Sequence, residues 1–214
     1  VTVLSVVMGT ALKLNRSTIY ELAVGALVHD TGKMFVPKEI LHKPGRLNDE
    51  EFEEIKKHSE LGYKYLCANF DIPEDSKTAT LHHHEKYTGG GYPNGISGDA
   101  IHEFGRIISV ADVYDALTSD RPYRKDMIPS DAIEYIMGGY NTTFDPDVVE
   151  AITQKVAPYP IGTCVRLSTG EEGIVVKNYE STILRPMIRL IKDGQPSSQC
   201  IDLTNDRSTL SITV

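Results

Sequence analysis

Ala26-Leu27-Val28-His29-Asp30-Thr31-Gly32-Lys33 is the stretch on which the reading of this chain turns. An apolar helical run delivers an imidazole and a carboxylate side by side, a Gly stops the helix, and a Lys follows. Charged and polar groups at the end of a buried helix have little structural use unless something pairs with them. The same two donor types recur downstream at helix-compatible positions: His58, the pair His83-His84, and Asp112. Mixed imidazole and carboxylate donors suit Fe, Mn, Co, Ni or Zn. Neighbours on a helix point about 100° apart, so His29 and Asp30 would not chelate one ion as a pair. An Asp bridging two ions, with the flanking histidines serving one each, fits the pattern instead.

Outward from the dyad, the chain reads as helices. Thr18-Ile19-Tyr20-Glu21 has the form of a capping box and would start the helix that ends in His29-Asp30, with Gly32 in a left-handed C-terminal position. Upstream, Val3, Leu4, Val7, Met8, Ala11 and Leu12 fall at helical spacing. Asn48-Asp49-Glu50-Glu51 starts a further helix in the same capping-box manner, on which His58 falls in line with Phe52, Ile55, Gly62, Tyr65 and Leu66. Another helix follows Pro73 and runs into His82-His83-His84-Glu85. Thr88 to Gly95, with its glycines and Pro93, is an irregular loop. Phe104 to Leu117 is a helix that carries Asp112 and Asp115, and Asp145-Pro146 is an N-cap followed by proline at the first helical position.

Near Pro158-Tyr159-Pro160 the pattern changes to short β-type runs at 163–167, 173–176, 187–191 and 201–203, separated by turn signals such as Asp193-Gly194. The expected fold class is therefore mainly α, with a helical domain over 1–157 and a small all-β module, resembling an SH3-like barrel, over 158–214.

Composition narrows the function classes. A net charge of -8 argues against a nucleic-acid polymer as partner, although a small anion can still be held by local metals and a few cations. No apolar run reaches the roughly 18 to 20 residues of a membrane span. Three well-separated cysteines with no Cys-x-x-Cys indicate neither a disulfide framework nor a zinc knuckle, and a reducing cytoplasm fits best. The chain opens on Val1 without an initiator Met, and is expected to start inside a longer protein, downstream of a sensor or regulatory domain. The apolar face of residues 1 to 13 is expected to be core, or part of a homodimer contact.

Two metals about 3.5 to 4 Å apart clamp a phosphoryl group, with a hydroxide between them as nucleophile. The donor pattern thus reads as a metal-dependent phosphohydrolase. At this point the motifs match a family in order and spacing. His29-Asp30-x-Gly-Lys33, His58, His83-His84-Glu85, Gly91-Tyr92-Pro93 and the run Val110 to Arg124 resemble the HD-GYP family, over roughly residues 1 to 157. These are phosphodiesterases of the HD superfamily that hydrolyse the bacterial messenger cyclic di-GMP.

The resemblance implies an HD-type helical bundle and metal ligands His29, Asp30, His58, His83, His84 and Asp112, with Asp30 bridging. It implies that Lys33, Arg121 and Arg124 meet the phosphates and that Gly91, Tyr92 and Pro93 shape the substrate loop. The cofactors would be two or three divalent transition metal ions, Fe or Mn, and the products pGpG, GMP or both. Asp115 would support the site without ligating. His42, His82 and His102 stay outside the ligand set.

Two departures stand out. The family has a further ligating His on the first helix, upstream of where Val1 aligns, so this chain is expected to be one ligand short. The loop usually begins with Asp, where Thr88 stands here. Three alternatives remain open: a catalytically silent cyclic di-GMP sensor, a protein-interaction module docking through the Tyr92 loop, and an HD hydrolase of another nucleotide.

Overall fold

In the computed structural model, which describes residues 1–119 and 127–214, the apolar spacing near the start forms α1 (Thr2–Ala11). The dyad's helix, α2 (Arg16–Val28), begins earlier than a Thr18 cap would place it. Asn15 is the N-cap: its side-chain oxygen accepts hydrogen bonds from the backbone N–H groups of Ser17 (3.0 Å) and Thr18 (3.1 Å). A short Asn side chain satisfies two orphan donors there, which leaves Thr18 inside the first turn.

Gly32 also departs from expectation. It lies in a tight 3-10 turn, Thr31–Phe35, and its φ is not in the left-handed region. What it supplies is proximity: a Cβ here would sit 1.9 Å from the His58 carbonyl oxygen. Gly62 faces it, and a Cβ on Gly62 would lie 2.9 Å from the Gly32 nitrogen. Paired glycines thus let the turn after the dyad press directly on the helix that carries His58.

That helix is α4 (Asp49–Asn69), which follows the short α3 (Lys38–Leu41). Its expected capping box is formed in both directions, Glu51 N–H to Asn48 Oδ1 and Asn48 N–H to Glu51 Oε2, each 2.8 Å. Next come α5 (Glu74–His82), α6 (Glu103–Thr118), α7 (Pro129–Gly138) and α8 (Pro146–Lys155). Helix α7 had no counterpart in the sequence reading. It is a short amphipathic helix with Pro129 at its start and Ile133 and Ile136 buried.

The chain divides into two compact units, Val1–Ile152 and Thr153–Val214. In the first, α5 packs on α2, α4 and α6, and α1 packs on α2 and α6. Helix α6 runs through the interior, with Phe104, Ile107, Ile108, Val110 and Ala111 all buried. This is why Asp112, on the same helix, can be delivered to the edge of the packed interior. Among the described residues no helix is long and apolar enough to cross a membrane.

In the second unit β1 (Cys164–Arg166), β2 (Glu172–Lys177), β3 (Met187–Lys192) and β4 (Gln195–Asp202) form an antiparallel meander in that order. Asp193 and Gly194, with φ of 51° and 74°, make the β3–β4 turn with the positive dihedrals a two-residue hairpin needs. Leu167, Val175, Ile188, Leu190 and Leu203 are its core. The sheet is open, with no β1–β4 pairing among the described residues, so the SH3-like barrel is not closed. Three residues of β1, alternating exposed and half-buried, offer too short an edge to close it.

The close approach at Gly32 sets a stability test. Gly32→Ala should lower stability by about 1–3 kcal/mol or more, the range for forcing atoms into a packed contact. Asn48→Ala should cost about 1 kcal/mol, the worth of an N-cap. Denaturant melts of both variants check the order; a Gly32→Ala protein as stable as wild type would show that the turn can withdraw from α4.

Candidate metal centre

Four elements converge on Asp30. It follows the end of α2, and the glycine-packed turn holds it against α4, where His58 projects. The end of α5 brings His83 and His84, and α6 brings Asp112. One donor atom each from Asp30, His58, His83 and His84 lies within 4.8 Å of the others, and the same holds for His29, Asp30 and Asp112. Among the described residues Asp30 is the one member the two sets share. Its Oδ1 stands 3.5 Å from His58 Nε2 and 3.9 Å from His83 Nε2, and its Oδ2 stands 3.4 Å from His29 Nε2. Asp112 Oδ1 lies 3.7 Å from the same His29 nitrogen.

The imidazoles are held in one orientation by their own helices. Nδ1 of His29, His58 and His83 lies 2.8, 2.7 and 2.8 Å from the carbonyl oxygens of Ala26, Ile55 and Thr80. A carbonyl only accepts, so each Nδ1 must carry the hydrogen. In the neutral ring that leaves the Nε2 lone pair facing the centre, the arrangement typical of ligating histidines. His58 Nε2 and His83 Nε2 are then 3.3 Å apart with no hydrogen between them. His29 Nε2 and Asp30 Oδ1 are likewise buried without a hydrogen-bond partner. Converging lone pairs and an orphaned carboxylate oxygen repel one another in a low-dielectric interior. A divalent transition metal ion satisfies all of them, and the donor chemistry fits one.

Protonation follows from burial and charge. Burial lowers the pKa of His58, takes His83 well below the ordinary value, and takes His84 down to about 4, with the neighbouring His58 adding to the effect for His84. These three rings are neutral, as ligands must be. For His29 burial also pulls downward, but Asp112 and Asp30 more than offset it and raise the ring to about 9. Burial would raise both carboxylates, yet each is held below its usual value, Asp30 by His29 and Lys33 and Asp112 by His29.

Lys33 Nζ lies 2.6 Å from Asp30 Oδ2, one turn on. Tyr92 stacks on His84, centroids 4.7 Å apart at 28°. Burial, with Asp112 and Asp30 nearby, raises its phenol, so it remains a neutral hydroxyl. Gly91 has no side chain to keep it off the preceding turn; a Cβ there would lie 2.4 Å from Glu85 Cα. Tyr92 N–H donates to the His84 carbonyl at 3.2 Å, and Pro93 follows through a cis peptide bond. Thr88, in place of the expected Asp, donates its hydroxyl to the Thr142 carbonyl at 2.9 Å and ties the loop's start to the turn before α8.

The sequence reading assigned no role to Glu85. It is 3% exposed, and its Oε1 accepts from the N–H groups of Asn94 (2.7 Å) and Gly95 (3.1 Å), which fixes the loop's far end. The available signal was a Glu directly after a His pair and before an Asn-Gly turn. Asp115 is half-exposed and outside both donor sets. His82 Nδ1 accepts from His102 N–H, and His102 Nδ1 caps α6 at Phe104 N–H, so both are structural. Arg121 and Arg124 lie outside the described residues.

Comparisons with known proteins agree with this geometry. The HD domain family model matches residues 1–148. The chain is 37% identical over 187 residues to the cyclic di-GMP phosphodiesterase PA4108 of Pseudomonas aeruginosa, covering 87% of this chain and 45% of that protein. It is 45% identical over 116 residues to 3'3'-cGAMP-specific phosphodiesterase 1 of Vibrio cholerae, covering 54% and 27%. The chain therefore spans less than half the length of either relative. Its fold is similar to that of Bd1817, an HDG"Y"P protein from Bdellovibrio bacteriovorus, at a TM-score of 0.58 and 19% identity, over 71% of this chain and 48% of that one.

The protonation pattern predicts how a metal enters. At pH 7 to 8 His58, His83 and His84 are already neutral, whereas His29, at about 9, carries a proton that ligation must displace. Binding of Mn²⁺ should release about one proton per protein in that window, with apparent affinity rising about tenfold per pH unit below that pKa. Titration calorimetry in buffers of differing ionisation enthalpy counts the proton. No release, or release unaltered by His29→Ala, would contradict the assignment.

Proposed function

Because this chain belongs to the HD domain family, in its HD-GYP branch, we propose that it is a metal-dependent phosphodiesterase hydrolysing cyclic di-GMP to pGpG, GMP or both. The observation that carries the proposal is the sharing of Asp30 between two donor sets. One carboxylate common to two clusters is what a dinuclear phosphodiester site requires, since each ion answers one end of the transferring group. His58, His83 and His84 would hold one ion with Asp30, and His29 and Asp112 the other. Mixed nitrogen and oxygen donors suit several divalent transition metals, and Fe or Mn is proposed among them on the family resemblance. When bound, the ions supply Lewis acidity toward the phosphoryl oxygens and lower the pKa of water.

The chain's own residues do the rest. Lys33, already at the Asp30 carboxylate, offsets phosphate charge beside the centre, and Arg121 and Arg124 are proposed to do the same. Tyr92 closes one wall over His84 with a hydroxyl that stays protonated and so donates, while Gly91 and Pro93 set the bend that puts it there. Asp30, common to both donor sets, would hold both ions, and the buried His29, His58 and His83 rings beside it keep bulk water off that side. This orients a diester for attack along one line, the positioning that phosphoryl transfer chiefly needs.

A second reading has support of its own: the Vibrio cholerae relative that is 45% identical is named for 3'3'-cGAMP, so a mixed cyclic dinucleotide is the alternative substrate.

Protein loaded anaerobically with Fe or Mn should convert cyclic di-GMP, and a panel at equal metal loading ranks it against 3'3'-cGAMP. Asp30→Asn should lower kcat by at least about a thousandfold, since it weakens both ions together. Its metal content, read by elemental analysis, should fall in parallel. A variant that stays metal-replete and active would overturn the bridging role. Dinucleotide binding without metal-dependent turnover would favour the sensor reading.

A further inference from the structure

On α4 Phe52 stands six residues before His58, about 9 Å along the helix axis. Its ring is 46% exposed, whereas the core side of the same helix buries His58, Ser59, Gly62 and Leu66. Leaving a Phe in water forgoes about 1.5–3 kcal/mol of burial, and a lone exposed ring would carry no meaning. This one is not alone. Tyr92 makes edge contacts with both Phe52 and His58, each at 6.4 Å between centroids, while stacking on His84. Lys56, one turn after Phe52, places its ammonium 4.9 Å from the Phe52 centroid and 5.7 Å from that of Tyr92. Its carboxylate partner Glu53, at 2.6 Å, is on the solvent side and two-thirds exposed. A continuous strip therefore runs from the ligand cluster through Tyr92 to a half-open aromatic ring with the Lys56 ammonium over one face.

The geometry points to Phe52 as a stacking platform for one purine base of the substrate, with Lys56 beside it as a positive donor. The inference rests on the proposed phosphodiesterase reading and adds the part of the site that recognises the base. The distance along α4 from the ligating His58 to Phe52 is comparable to the span from a phosphate to its own base, so one nucleotide can occupy both ends. An aromatic face supplies what a base needs and a bare phosphate does not, and such stacking is worth about 1–3 kcal/mol per base. Lys56 can serve the acceptor atoms that a purine presents on its edge or the adjoining phosphate. In either role it has only an exposed, weakly held carboxylate to give up.

The test is direct binding to metal-loaded protein, measured by calorimetry with GMP and with ribose 5-phosphate, which has the same phosphate but no base. Wild type should bind GMP more tightly. Phe52→Ala should weaken GMP about tenfold, within the range of base stacking, and leave ribose 5-phosphate unchanged. Phe52→Trp should restore GMP binding, and both variants should keep the wild-type melting temperature because the ring lies at the surface. Equal affinity of wild type for the two ligands, or a Phe52→Ala protein that loses both or neither, would overturn the platform. Turnover of cyclic di-GMP by wild type is scored separately. A protein that holds GMP through Phe52 yet hydrolyses no cyclic dinucleotide would sink the phosphodiesterase reading and leave the platform standing.

Discussion

Everything at the centre of this molecule depends on a hydrogen bond from an imidazole Nδ1 to the carbonyl three residues earlier. His29, His58 and His83 each make it, on three different helices. The bond commits one ring nitrogen to the backbone and turns the other inward, so the helices themselves choose the tautomer. Two of these rings, His58 and His83, present lone pairs to each other and to Asp30 at 3.3 to 3.9 Å, while His29 turns its protonated Nε2 to Asp30 at 3.4 Å. Such a cluster is unfavourable by itself and favourable around a cation. The energetic cost of preparing the site is met by the surrounding packing, as is usual where function requires a locally poor arrangement.

That packing works through close backbone approach. Gly32 and Gly62 bring the turn after α2 onto α4 with no side chain between them, and Gly91 brings the loop onto the turn at Glu85 in the same way. Glu85 then holds the loop's other end through two backbone amides. The consequence is that Asp30 and Tyr92, both on non-helical backbone, are positioned about as rigidly as the histidines on helices. Precision of this kind matters because a bridging carboxylate displaced by about 1 Å no longer serves two ions equally.

Much of this was legible in the sequence, for identifiable reasons. Ligand types and their helix-compatible spacing depend on local periodicity, so His29, Asp30, His58, His83, His84 and Asp112 could be picked out and do converge. The Asn48 capping box is a local device and formed as read. What escaped was decided by tertiary contact. Gly32 looked like a helix terminator because a left-handed cap is the commonest use of Gly in that place; its real use is visible only with α4 against it. Thr18 has the form of a capping box, but Asn15, three residues earlier, takes the cap by accepting two backbone N–H groups, and the helix starts there. Helix α7 begins at Pro129 with Ile128 as its N-cap and no side-chain cap hydrogen bond, so no side-chain capping signal marks its start. Sheet closure depends on which edges meet, and no local signal states that.

The electrostatics explain how an acidic protein with a net charge of -8 can be suited to an anionic substrate. The carboxylates that matter, Asp30 and Asp112, are half-buried and held ionised by partners close at hand, and the rings beside them are mostly neutral. Lys33 at 2.6 Å and the protonated His29 answer Asp30's charge from the protein side. Divalent ions held by these residues would answer the same charge more strongly, displacing only the His29 proton, because the other imidazoles are already neutral. With the carboxylate answered by metal, the Lys33 ammonium would have a weaker claim on it and would stand beside the centre as positive charge for the proposed phosphate. The global charge then matters little at contact distance, since a few buried groups in a low-dielectric site outweigh screened surface acids. The sign of the field at the phosphate is set locally, by which cation sits on Asp30.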